Sequence, residues 1–249
     1  MDEISIISTD LRYEALCNIF KEQGYNSSLC TPNTIKSPDI LILPIKSTLT
    51  EKEFLKIFLK VKKSALVFTG EEDKVKKYFD GRIINYSKVE SFIDRNAYIT
   101  AESAMILALN KMQKSLSESE CAVIGYGRIG KHLAKILKGL GSSVTVFARR
   151  KESREEAITS GVRAEGIEAI SNSSFDVIFN TVPTQIIRKE TSDKISSKTI
   201  VLDLASLPGG FEDEGFPIRA LALPGKMMPI SAGRAIFDFV QEYISNEGE

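Results

Sequence analysis

Histidine and cysteine are scarce in this chain. The only histidine is His132, and the three cysteines, Cys17, Cys30 and Cys121, are scattered, with no Cys-x-x-Cys pair among them. A zinc site of the usual composition therefore lacks its ligands, and no metal is expected. This cysteine usage fits a reducing cytosol. An excess of either charge is also missing. Lys and Arg total 33, Asp and Glu total 33, and the formal net charge is zero, which argues against a nucleic-acid partner and against a membrane surface. No apolar run approaches the length of a membrane-spanning helix. Met1-Asp2-Glu3 leads straight into Ile4-Ser5-Ile6-Ile7, without the basic and long apolar regions of a signal peptide. Internal repeats and low-complexity segments are absent too. What is present is an ordinary globular composition, 43% hydrophobic and 27% charged over 249 residues, enough for one large domain or two small ones.

Short apolar runs alternate with helical patterns. Residues 4–7, 40–43, 65–68 and 82–85 read as strands in the first half, and 121–124, 144–147, 176–180, 199–203 and 218–221 in the second. Continuous apolar strands separated by helices imply parallel sheets covered on both faces. Leu11 to Gln23 has apolar residues at helical spacing and ends at Gly24. Thr50 with Glu53 forms a capping-box signature for a helix through Val61, and a short helix is expected over 72–79. Residues 97–114 are apolar on most sides, through Ala101, Ala104, Met105, Ala108, Leu109 and Met112, so this helix is buried on most sides and expected between two domains. Ser231 to Asn246 reads as an amphipathic C-terminal helix. The expected organisation is a flavodoxin-like α/β domain over 1–96 and a linking helix over 97–116. A Rossmann-type domain follows over 117–230, and the segment 231–249 returns to the N-terminal domain.

The most informative motif is Gly125-Tyr126-Gly127-Arg128-Ile129-Gly130, which follows the strand 121–124 at once and opens a helix. In that context Gly125 permits a tight turn, Gly127 lets the backbone approach a pyrophosphate, and Gly130 lets the helix pack on the strand. The helix start offers free N–H groups and partial positive charge. The tip of the next strand reads Phe147-Ala148-Arg149-Arg150. The acid that would bind a ribose 2′-hydroxyl is missing there, about twenty residues beyond the glycines. Two guanidiniums favour the 2′-phosphate of NADP(H) instead. Asn180-Thr181-Val182-Pro183 ends a later strand where ligands bind in doubly wound sheets and is a candidate for lining the nicotinamide ribose. His132, one turn into the helix after the glycines, reads as a surface position rather than a general base.

Further candidates flank the same edge. Asp203-Leu204-Ala205-Ser206-Leu207-Pro208-Gly209-Gly210 offers Ala205, Ser206 and two glycine N–H groups to a ligand. Ser231 is a good N-cap, and with Lys226 and Arg234 nearby its helix start suits an anionic substrate. Glu102 is expected in the first turn of the linking helix.

Together these blocks resemble the A-subunit family of dipicolinate synthase from endospore-forming bacteria, over nearly the whole chain. The resemblance rests on Leu202-Asp203-Leu204-Ala205-Ser206 with Pro208-Gly209-Gly210, then Leu223-Pro224-Gly225 and Pro229 with Ala232-Gly233. Asp10-Leu11-Arg12, Leu43-Pro44, Glu102, Asn180-Thr181 and Pro183 match further family positions. Three features depart from it: Ser8-Thr9 replaces glycines, Leu207 replaces a basic residue, and the region 70–95 is shortened. The resemblance implies NADP-dependent oxidation of a dihydrodipicolinate to dipicolinate, the pyridine-2,6-dicarboxylate of spores, in the mother-cell cytoplasm. It also implies a flavoprotein-like B subunit that carries the flavin. Arg12, Glu102, Ser206, Lys226, Ser231 and Arg234 are the candidates for contact with a small dicarboxylate, and no catalytic acid or base is identified. The oligomeric state stays open, a homo-oligomer included. Two alternatives remain: another two-domain NADP-dependent reductase, similar to shikimate or methylene-tetrahydrofolate dehydrogenase, and a non-catalytic nucleotide-binding regulatory subunit.

Overall fold

The apolar runs form two all-parallel sheets in the computed structural model, which describes residues 2–172 and 174–247. The chain divides into two compact units, Met1–Asn96 with Pro224–Glu249, and Ala97–Leu223. The first unit alternates β1 (Glu3–Ile7), α1 (Leu11–Glu22), β2 (Asn26–Cys30), β3 (Ile40–Ile42), α2 (Glu51–Phe58), β4 (Leu66–Thr69), α3 (Glu72–Val75) and β5 (Arg82–Asn85). Its sheet order is β2-β1-β3-β4-β5, the order of the flavodoxin-like doubly wound fold. β3 and β4 are buried at every position, as continuous apolar strands of a covered parallel sheet must be. Both halves of the Thr50–Glu53 capping box form at the start of α2.

The helix α4 (Glu90–Leu109) runs across the division between the units. It starts seven residues before the expected 97, so Glu102 lies mid-helix and not in the first turn. The second unit continues with β6 (Glu120–Ile124), α5 (Arg128–Gly139), β7 (Ser143–Phe147), α6 (Lys151–Thr159), β8 (Arg163–Glu165), β9 (Val177–Asn180), α7 (Lys189–Ser192), β10 (Ile200–Asp203) and β11 (Ile218–Arg219). The sheet order β11-β10-β9-β6-β7-β8 is that of a Rossmann domain, 3-2-1-4-5-6 counted from its first strand. A short α8 (Leu223–Met227) leads to α9 (Pro229–Glu247).

α9 belongs to the first unit and packs on α1. The Phe20 and Phe237 rings meet edge to face at 4.9 Å. Gly233 allows the close approach, since a Cβ there would lie 2.8 Å from the Arg12 carbonyl oxygen. Residues 224–230, expected in the Rossmann domain, fall in the first unit. Of the expected C-terminal segment 231–249, residues 248 and 249 lie outside the described residues. Among the described residues no helix is long and apolar enough to cross a membrane.

Candidate active site

The three glycines of the turn differ in the space around them. Gly125 has φ +92°, and a Cβ on it would lie 2.5 Å from the Thr181 hydroxyl oxygen. A Cβ on Gly130 would lie 2.2 Å from the Gly125 carbonyl oxygen, so helix and turn touch backbone to backbone. Gly127, the N-cap of α5, faces open space. A side chain there would fill the room that a pyrophosphate needs in front of the helix N-terminus, so the residues present fit a bound dinucleotide. The turn opens on a cleft of about 260 Å³ bordered by Gly125, Gly127, Phe147, Ala148, Thr181 and Val182. Arg128, exposed, and Ile129, half-buried, begin α5 and lie outside that lining.

Arg149 and Arg150 also border the cleft, at the tip of β7. Both side chains are exposed, and neither guanidinium has a hydrogen bond or ion pair among the described residues. The turn that carries them is held by a residue that sequence reasoning missed. Arg154 donates from Nη1 to the carbonyl oxygens of Ala148 and Arg149, both at 2.8 Å. Arg150 is the N-cap of α6, a helix with no expectation from the sequence, and Ser153 in its first turn borders the cleft as well. The turn 149–150 therefore leads into a helix start.

The loop after β9 is only in part a cleft wall. Thr181, Val182 and Pro183 line the cleft as expected. The Thr181 hydroxyl donates to the Ile124 carbonyl oxygen at 2.9 Å, which pins the loop to the end of β6. Asn180 corrects the expectation of a cofactor contact. It is fully buried, donates from Nδ2 to Asp203 at 2.7 Å and to the Val182 carbonyl oxygen at 3.0 Å, and accepts from the Val182 N–H at 3.1 Å. Asp203, itself fully buried, also accepts from the N–H groups of Ala205 and Gly210 and from Arg219 Nη1 at 2.8 Å.

The glycine pair of this loop is consequently not a set of free donors. The Gly210 N–H is taken by Asp203 and the Gly209 N–H by the Ser206 carbonyl oxygen. Gly209 has φ +91°, and a Cβ on it would collide with Arg219 Nη1. Ala205 is buried and its N–H spoken for, while Ser206 is exposed and outside the cleft lining. The loop 203–210 is thus wrapped on the buried Asp203 carboxylate and its partly exposed partner Arg219, because an unpaired carboxylate at this depth would be costly.

The remaining candidates lie elsewhere. Arg12, Lys226, Ser231 and Arg234 are in the first unit, Glu102 in the second. Ser231 is not an N-cap, since α9 starts at Pro229, two residues earlier. Arg234 packs over the Phe237 ring at 5.4 Å. Lys226 borders a pocket of about 360 Å³ with Ser8, Thr9 and Asp10. The Glu102 carboxylate beside Tyr98 raises that phenol above its ordinary pKa. Tyr98 in turn stands edge-on to the half-exposed ring of His132, with centroids 5.4 Å apart. Among the described residues no cluster of three His, Cys, Asp or Glu side chains could hold a metal ion.

Comparison with known proteins agrees with this geometry. Residues 90–205 match the family described as D-isomer specific 2-hydroxyacid dehydrogenase, NAD binding domain, so the Rossmann-type second unit is similar to the nicotinamide-dinucleotide-binding domain of those enzymes. In sequence the chain is 28% identical over 158 residues to the dipicolinate synthase A subunit of Bacillus subtilis (strain 168), a match covering 60% of this chain and 53% of that protein. The match therefore spans about half the length of that relative. In fold, the crystal structure of the same enzyme's A polypeptide from Bacillus subtilis superimposes with a TM-score of 0.78 at 21% identity, covering 98% of this chain and 96% of the other. Its counterpart from Bacillus halodurans superimposes at 0.79 and 22% identity, covering 97% of each. The chain is thus similar to the A-subunit family of dipicolinate synthase in sequence and in fold, as its Asp-Leu-Ala-Ser and Pro-Gly-Gly blocks indicate.

Proposed function

We propose that the protein is an NADP-dependent oxidoreductase that oxidises a dihydrodipicolinate to dipicolinate, acting with a flavoprotein-like B subunit. The observation that carries the NADP preference is the pair of guanidiniums, Arg149 and Arg150, without partners among the described residues at the tip of β7, where an NAD site would have an acid. The substrate rests on the similarity to the A-subunit family of dipicolinate synthase. The overall conversion balances as dihydrodipicolinate plus NADP+ giving dipicolinate, NADPH and a proton. When bound, NADP+ supplies the hydride acceptor. The chain's own part is positioning. The glycine turn and the α5 N-terminus would hold the pyrophosphate, Arg149 and Arg150 the 2′-phosphate, and Thr181 to Pro183 would wall the nicotinamide side. Aromatisation of the ring supplies driving force, so orientation carries more of the rate than a strong base. Two substrate carboxylates call for cations, which the resemblance assigns among Arg12, Lys226 and Arg234.

The test is dipicolinate formation from freshly generated dihydrodipicolinate with NADP+, using this chain by itself, the B subunit by itself, and both together. Product that requires this chain and disappears in Gly127→Asp supports the reading, since a carboxylate there would meet the pyrophosphate. Arg149→Ala with Arg150→Ala should weaken NADP binding far more than NAD binding, and equal losses would refute the phosphate assignment. NADP binding without any product, under every combination, would favour the regulatory or other-reductase alternatives.

A further inference from the structure

The first unit holds a cation that the cofactor cleft does not use. Arg12 lies at the second position of α1, with 7% of its side chain exposed. Its Nε donates to both oxygens of Asp10, at 2.9 and 3.1 Å, and Asp10 Oδ1 also accepts from the Arg12 N–H at 3.1 Å. Of the five donors on a guanidinium, only the Nε–H is used. Among the described residues neither Nη makes a hydrogen bond, and Asp10 is the only carboxylate within ion-pair distance. The guanidinium carbon stands 5.9 Å from the centroid of the Tyr13 ring. The phenols nearby are committed: the Tyr13 hydroxyl accepts from the Ile45 N–H at 2.8 Å, and the Tyr86 hydroxyl donates to the Leu43 carbonyl oxygen. Burial pushes Tyr13 up to about 12 and Tyr86 well above its ordinary value, so no phenolate competes for the cation.

Among the described residues only the Ser103 hydroxyl oxygen is buried without a partner, so the two Arg12 Nη atoms, unbonded within the protein, reach the surface where water or a ligand can meet them. Here Asp10 fixes the group through Nε and leaves the fork of Nη1 and Nη2 open, the edge that takes two oxygens of a planar anion. The arrangement is held from behind as well. A Cβ on Gly225 would lie 2.5 Å from the Asp10 carboxylate oxygens, so only glycine lets Asp10 sit where it orients Arg12. We propose that Arg12 is a built carboxylate-binding site of the first unit, that it takes one carboxylate of a small acid end-on between its two Nη atoms, and that Asp10 is its positioning residue. With Asp10 and Arg12 cancelling in charge, recognition rests on the directed pair of hydrogen bonds. The choice of a pyridine dicarboxylate as its ligand rests on the proposed function, while the evidence for the site lies within the first unit.

Calorimetric titration of the full chain with pyridine-2,6-dicarboxylate, and with the neutral pyridine-2,6-dicarboxamide, tests it. The wild-type chain is expected to prefer the diacid by about tenfold or more, the usual return of charge-assisted hydrogen bonds. Arg12→Met should remove that preference, and Arg12→Lys should keep only part of it, having charge without the fork. Diacid and diamide binding alike to the wild type, no diacid binding at all, or a preference retained in Arg12→Met would each overturn the site. Should Arg12→Met fail to fold, Arg12→Lys decides: a preference undiminished in that variant overturns the site, and a reduced one supports it. NADPH binding, measured on the same samples, should be equal in wild type and variants. Its loss from the wild type would refute the cofactor reading and leave the Arg12 result standing.

Discussion

Single residues at strand ends decide what this protein can bind. Gly127 leaves open space where Gly125 and Gly130 leave none, so of the two glycines that border the cleft only Gly127 leaves room in front of it. Asp203 is the residue on which the walls of the second unit depend. It has no exposure and gathers donors from Asn180, Ala205, Gly210 and Arg219. Asp203→Ala would strand those donors, and a buried donor left without its partner costs about 1–3 kcal/mol. Urea unfolding should therefore lose about that much, whereas Ser206→Ala, on an exposed side chain, should stay within about 0.5 kcal/mol of wild type. A wild-type midpoint for Asp203→Ala would refute the role of the network.

Elements with a strong period or a long apolar run were legible before the fold was known. β1, β3, β4, β6, β7, β9 and β10 lie where continuous apolar runs stand, and α1, α2 and α5 where the caps and stripes stand. The elements without expectation are those whose pattern is weak. β2 (Asn26–Cys30) and β8 (Arg163–Glu165) are polar segments at or next to a sheet edge, fixed by their neighbours' backbones. α6 buries only Ser153 and Ala157, so it carries no apolar stripe to read. α3, expected over 72–79, is only one turn long and held by charge: Lys76 and Lys88 both reach Glu72. Hydrogen bonds from these lysines hold the Glu72 carboxyl at about 2, below its usual 4.5. A carboxyl whose pKa is lower folded than unfolded stabilises above the unfolded value and loses that contribution as pH falls through the folded one. Stability should thus decline between about pH 5 and pH 2, and Glu72→Gln should flatten that acid limb. An unchanged acid limb in the variant would show that the two lysines contribute nothing there, as exposed pairs sometimes do.

At the scale of the whole molecule, the two units can be followed through their thiols. Cys17 is buried in the first unit, Cys121 in the second, and Cys30 is partly exposed. Burial pushes the Cys121 thiol up to about 11, which leaves almost no thiolate at neutral pH. In the native protein, alkylation read by peptide mass spectrometry should therefore find Cys30 alone, of the three cysteines. In moderate urea Cys17 and Cys121 should open, each reporting its own unit. NADPH should slow Cys121 and leave Cys17 unchanged, since a ligand stabilises what binds it. Equal protection of both would show that the units open together, and protection of neither would count against the cofactor cleft.

The sequence by itself determined two parallel sheets, the glycine turn and the basic strand tip, because apolar period, glycine spacing and residue charge are local properties. The roles of its loop residues were settled only by the tertiary structure. Asn180 looks like a ligand contact until Asp203 occupies it, the Pro-Gly-Gly loop looks like a donor cradle until Arg219 fills it, and Ser231 looks like a cap until the helix starts at Pro229. Arg12 reads as one cation among 33 lysines and arginines until burial and Asp10 leave its fork open. Whether a polar group is spent inside the protein or left for a ligand depends on partners distant in the chain, and only folding brings those partners together.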